Sequence, residues 1–69
     1  MPSSLAEKFS RNLRNTRLAK KLSQESLAAK AGISVSYVSM LERGQRTPPL
    51  DTLELLGRAL SVAPTALLA

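Results

Sequence analysis

Between Gln24 and Gly44 the chain reads QESLAAKAGISVSYVSMLERG, two short segments of helical periodicity pinched together at Ala31-Gly32-Ile33. A glycine at that point supplies the left-handed backbone that ends a helix, and Ser34 two residues later is placed to cap the next one. The two helices must therefore meet across a turn of a few residues, at a sharp angle. Ser23 opens the first, with Gln24 and Glu25 in its first turn and Leu27, Ala28 and Ala31 along one side, where small alanines permit a close crossing. Val38 and Leu41 anchor the second helix to a core, Tyr37 lies on one border, and Gly44 follows its end. Ser36, Ser39, Met40 and Arg43 are left facing outward, on a side without the apolar bulk that a core requires.

Three further helical segments frame this pair. Ser4 and Glu7 fit a capping box, and Leu5, Phe9 and Leu13 repeat every four residues, which predicts a helix from about Leu5 to Lys20. Arg17 is the next position of that stripe, so a cation sits at the edge of the buried face and needs an anion nearby. Thr47-Pro48-Pro49 breaks the chain. A helix of 50–60 follows, with Leu50, Leu53, Leu56 and Leu60 as its inner stripe, Gly57 among them, Asp51 and Glu54 in its first turns, and Leu55 and Ala59 on the opposite side. Pro64 can start a last short helix, 64–68, carrying Leu67 and Leu68. With no strand alternation and no repeat, the expected fold is all-α and compact: five helices at about 5–20, 24–31, 35–43, 50–60 and 64–68, in a single domain over 1–69.

What the chain lacks narrows its chemistry. Its 69 residues contain neither Cys nor His, which removes disulfides, thiolate and imidazole metal sites and the commonest general base. Glu7, Glu25, Glu42, Asp51 and Glu54 form no metal or acid-base constellation, so the expectation is no enzyme, no cofactor, no metal and no small-molecule ligand. Ten Lys and Arg against five Asp and Glu give a net charge of +5. Lys8, Arg11, Arg14, Arg17, Lys20 and Lys21 crowd the first third, which favours a polyanionic partner. No apolar run of about 18 residues and no secretory pattern is present, so no membrane role and a cytoplasmic location are expected.

The outer face of the helix after Ser34 suits a groove in duplex DNA. Ser36 and Ser39 can donate or accept at base edges, Val35 and Met40 can meet thymine methyls, and Arg43 at the helix end is placed for a phosphate. Gln24-Glu25-x-Leu27-Ala28, Ala31-Gly32-Ile33-Ser34, Tyr37-Val38-Ser39, Leu41-Glu42-Arg43-Gly44 and Arg46-x-Pro48, in this order, resemble the phage-repressor and Cro type, the XRE family of helix-turn-helix DNA-binding domains. The resemblance spans about Phe9 to Leu68. It implies a five-helix repressor-type domain whose helices 2 and 3 form the helix-turn-helix. It also implies Ser23 and Gln24 on a phosphate, Val35, Ser36, Ser39 and Met40 against bases, and Tyr37, Arg43 and Arg46 near the DNA backbone. In several members the residues matching Arg17 and Glu42 form a salt bridge, which would supply the stranded cation with its partner.

Three positions depart from the family pattern. Leu55 stands where relatives are commonly polar and either packs under the last helix or, with Ala59, Leu67 and Leu68, forms an exposed apolar surface for a homodimer. Thr16 and Gly57 replace a frequent Leu and Ala, which points to a less firmly anchored first helix. The expected function is sequence-specific binding of double-stranded DNA at a palindromic operator as a transcriptional regulator of repressor type, although the sign of regulation follows from where a site lies relative to a promoter. A protein-interaction module, such as an antitoxin or co-regulator subunit using Leu55, Leu67 and Leu68, is the alternative. An RNA or anionic-membrane binder finds less support, since Phe9 and Tyr37 are the only aromatic residues and form no stacking platform.

Overall fold

The computed structural model describes residues 4–69, so the first three residues of the expected domain lie outside the described residues. Four α-helices follow one another, α1 (Leu5–Ala19), α2 (Gln24–Ala31), α3 (Val35–Glu42) and α4 (Leu50–Leu60), and a 3₁₀ helix covers Pro64–Leu68. Among the described residues there is no strand. No helix among them is long and apolar enough to cross a membrane.

Side chains written into the sequence start three of the helices. The Ser4 hydroxyl accepts from the Glu7 amide at 3.2 Å while the Ser4 amide donates to Glu7 Oε1 at 3.1 Å, which completes the capping box of α1. Ser23 and Ser34 accept from the amides of Ser26 and Tyr37 at 3.0 and 3.1 Å. The helix ends are equally regular. After each α-helix one residue turns left-handed and the next donates back to a carbonyl five residues earlier: Leu22 to Arg17, Ile33 to Ala28, Gln45 to Met40 and Val62 to Gly57. Gly32 and Gly44 take the left-handed position after α2 and α3, but Lys21 and Ser61 take it after α1 and α4, with φ of 59° and 58°. In those two turns Leu22 and Val62 follow directly and pack against the core, as Ile33 does after Gly32, so apolar contact holds a backbone that Lys and Ser do not favour.

The core joins Phe9 and Leu13 of α1, Leu27, Ala28 and Ala31 of α2, Val38 and Leu41 of α3, Leu53, Leu56 and Leu60 of α4, and Leu67. α1 packs on α3 and on the 3₁₀ helix, while α2 packs on α3 and α4. Gly57 explains how the C-terminal turn comes so close to α4: a Cβ there would lie 3.0 Å from the Val62 carbonyl oxygen and 3.1 Å from Pro64 Cα and Cγ. Asn12 fastens the same turn to α1, its Nδ2 donating to the Leu67 and Ala69 carbonyls at 3.1 and 2.9 Å.

Four expectations change. The fifth segment is a 3₁₀ helix, because its five residues begin at Pro64 and close with a tight bond from the Ala66 amide to the Ala63 carbonyl. Leu67 is not surface: it is fully buried, since the turn seated against Gly57 aims it between α1 and α4. Leu5 and Leu50, expected inside, are 63% and 79% exposed. Each is the first residue of its helix, and burial starts one turn further in, at Phe9 and Leu53. They flank a shallow apolar groove of about 180 Å³ together with Pro48 and Leu68.

Gly32 tests the turn between α2 and α3. Its φ is +74° and a Cβ would meet nothing within 4 Å, so any penalty is confined to the backbone. Gly32→Ala is expected to lower unfolding free energy by about 1 kcal/mol in urea titration, with Gly32→Asn closer to wild type.

Candidate nucleic-acid interface

α3 owes its position to one buried ion pair. Arg17 Nε donates to Glu42 Oε2 at 2.6 Å and Nη2 to Oε1 at 3.0 Å, a two-pronged contact between α1 and α3. Nη1 donates to the Leu22 carbonyl at 2.9 Å, which adds the α1–α2 connection. Gln24 Nε2 completes the set with a 3.1 Å bond to Glu42 Oε1, so α2 is tied in as well. Sequence reasoning placed Gln24 on a phosphate and did not connect it to Glu42. The two residues lie 18 apart on different helices, so no local pattern in the sequence signals that bond.

The electrostatics of the pair follow from this geometry. Burial pushes the Glu42 carboxyl up, but the Arg17 and Gln24 hydrogen bonds and the charges of Arg17 and Arg14 outweigh it and hold the group below its ordinary value. The hydrogen bond to Glu42 raises Arg17, against the effect of burial. Both groups are therefore ionised across the physiological range.

With α3 fixed, its outer face is open. Val35 is 39% exposed and Ser36 is exposed, whereas Ser39 and Met40 are half-buried at the borders of the same face. Arg43 and Arg46 are exposed beyond the helix end. Ser23 is exposed, with its hydroxyl engaged in capping, and Gln24 is half-buried. Tyr37 lies half-buried on the opposite border, packed against the core. The structure thus brings Val35, Ser36, Ser39, Met40 and Arg43 onto one helix surface and leaves Tyr37 at its edge.

The apolar C-terminal patch, in contrast, divides. Leu55 and Ala59 line a cleft with Lys30, Arg58 and Ser61, while Leu68 lines the groove of Leu5 and Leu50, and Leu67 is in neither. Among the described residues no group of acidic side chains is arranged to hold a metal ion.

A family model described as helix-turn-helix, HTH_3, matches residues 13–67, which contain the ion pair, both helices of the turn and the 3₁₀ helix up to Leu67. The chain belongs to the HTH_3 helix-turn-helix family. Among the relatives of this helix-turn-helix protein is the control protein C.BamHI of Bacillus amyloliquefaciens, 41% identical over 87% of the chain and 75% of that protein. The crystal structure of the restriction-modification controller protein C.AhdI from Aeromonas hydrophila superposes with a TM-score of 0.87 at 45% identity, over 90% of this chain and 94% of that one. A hypothetical transcription factor NHTF from Neisseria gives a TM-score of 0.92 at 35% identity, over all of this chain and 82% of its own. The helix-turn-helix chain is a DNA-binding transcriptional regulator.

The ion pair carries two expected outcomes. Because both side chains are largely buried, Arg17→Met and Glu42→Leu should each cost about 3 to 5 kcal/mol, and the double variant less than their sum, in a thermal-denaturation cycle. The Glu42 contribution should be complete above the unfolded-chain carboxyl value of about 4.3 and vanish as pH falls through the lower folded value. Wild-type stability should therefore fall towards that of Glu42→Leu in acid, where Arg17 is likewise left charged without its partner, measured by urea titration over that interval.

Proposed function

We propose that two copies of this chain bind a two-fold-symmetric duplex site and place their α3 helices in successive major grooves about 34 Å apart. The observation that carries the reading is the open face of α3: Val35, Ser36, Ser39 and Met40 lie outside the core, with Arg43 and Arg46 at the helix end. Val35, Ser36 and Met40 meet bases, and Ser39 stands at the border of the face where bases give way to the backbone. Arg43, Arg46 and the first turn of α2 at Ser23 and Gln24 hold the strands, the last through backbone amides at the positive end of the helix.

Affinity in this reading comes chiefly from phosphate neutralisation. The face carries no Asn, Gln or central Arg for a two-pronged base contact, so direct readout is modest and thymine methyls and DNA shape contribute much of the discrimination. Either sign of regulation is compatible with this geometry.

Self-association fits the groove of Leu5, Pro48, Leu50 and Leu68 better than the cleft at Leu55. No charged residue lines that groove, whereas Lys30 and Arg58 flank Leu55 and would face their own copies across a two-fold axis.

Duplexes selected from a random pool test the reading. With about three phosphates held per copy, the slope of log affinity against log salt should lie near −5, and a flat response removes the proposal. Ser36→Ala and Met40→Ala should shift sequence preference, while Arg46→Ala should weaken selected and random duplexes alike. In sedimentation, Leu50→Glu should shift the wild-type dimer towards monomer and Leu55→Glu should leave it intact. The reverse ranking moves the interface to the Leu55 cleft.

A further inference from the structure

A second cleft, of about 250 Å³, opens between α1 and α3 beside the ion pair and is lined by Arg14, Arg17, Gln24, Ser39, Glu42 and Arg43. Its charges do not cancel. Glu42 is engaged by Arg17, the only ion pair among the described residues, which leaves Arg14 and Arg43 facing the same space without an anion. Both are exposed, so each keeps its charge in water and can surrender that hydration to a partner entering from outside. Gln24 already points its amide at Glu42, while Ser39 presents a hydroxyl on the cleft side of α3 with no protein partner among the described hydrogen bonds.

We infer that this cleft is a phosphodiester site in which Arg14 of α1 and Arg43 of α3 grip one backbone phosphate of duplex DNA from two sides, with the Ser39 hydroxyl as a further donor. The inference rests on the DNA reading above and extends it, because it adds a residue of α1 to a grip otherwise drawn from α2, α3 and the segment after α3. The position suits a backbone rather than a base. Ser39 is one turn beyond Ser36 on α3, at the border of the groove-facing surface towards α1, where a strand leaving the groove passes. The buried pair is also the reason the two cations stay apart and available: Arg17 occupies Glu42 with both prongs, so neither Arg14 nor Arg43 collapses onto that carboxylate. Arg14 lines the exposed mouth of the cleft, close enough for its charge to act on Glu42.

Fluorescence anisotropy with a selected duplex and a random duplex, across a salt series, tests the site in the intact chain. Arg14→Ala is expected to weaken both duplexes by on the order of tenfold near 0.15 M salt and to lower the salt slope by about 2 per dimer, as each copy loses one contact worth about 0.9. Lys30→Ala removes the same charge from the far cleft beside Leu55 and is the control. Its slope should stay that of wild type, and Arg14→Lys should retain most of the binding. Thermal melting of Arg14→Ala should match wild type, since the side chain is exposed. Arg14→Ala binding like wild type, or Lys30→Ala matching its loss, overturns the cleft while Arg46→Ala and Ser36→Ala still report on the interface. Wild-type failure to bind either duplex removes interface and cleft together. Replacing chloride with inorganic phosphate at equal ionic strength should leave the Arg14 dependence in place. Its disappearance there assigns the cleft to a free anion and overturns the duplex contact.

Discussion

One guanidinium-carboxylate contact holds the arrangement together. Arg17 lies in the row of core positions that begins at Phe9, and a charge there is tolerable only because Glu42, the Leu22 carbonyl and indirectly Gln24 satisfy it. Such a pair adds little net stability compared with an apolar contact of the same shape. Its value lies in direction. Apolar packing of Val38 and Leu41 sets the depth of α3 but tolerates some rotation, whereas two parallel hydrogen bonds to one carboxylate set the rotation too. The face presented to a groove is therefore fixed from its own border, where Glu42 lies one turn from Ser39.

The same contact organises charge. A chain of net +5 and 69 residues must keep its cations from crowding the core and from neutralising one another's partners. By consuming Glu42 internally, the fold leaves the exposed arginines of α1 and of the α3 end without acids to pair with on that side. Arg14 and Arg43 are thus left unpaired beside the open face of α3, as strand binding requires.

Much of this was legible in the residues. Capping serines, Gly32 and Gly44 act within a few positions, so helix starts and two of the stops could be read directly, and the outward set on α3 follows from Val38 and Leu41 alone. The Arg17–Glu42 bond was different. Spacing said only that Arg17 needs an anion, and the partner came from a family resemblance. Other features depended on distance in space. A hydrophobic repeat does not say where the core ends, which is why Leu5 and Leu50 read as buried. A five-residue segment reads the same in α and 3₁₀ geometry while its faces differ, so Leu67 and Leu68 could not be sorted. Lys21 and Ser61 gave no sign of a left-handed turn, because the force that bends them is the burial of Leu22 and Val62 after them.

Those two turns have a bearing on how such a sequence can change over time. Lys21 and Ser61 occupy a geometry that most L-amino acids adopt only under load, yet their side chains are exposed and take no part in the α3 surface. Selection can vary them freely for thermal tolerance, towards glycine or asparagine, without disturbing how nucleotides are recognised. The closures of α1 and α4 are then adjustable hinges of sequence divergence, and relatives can drift in robustness while keeping a common grip.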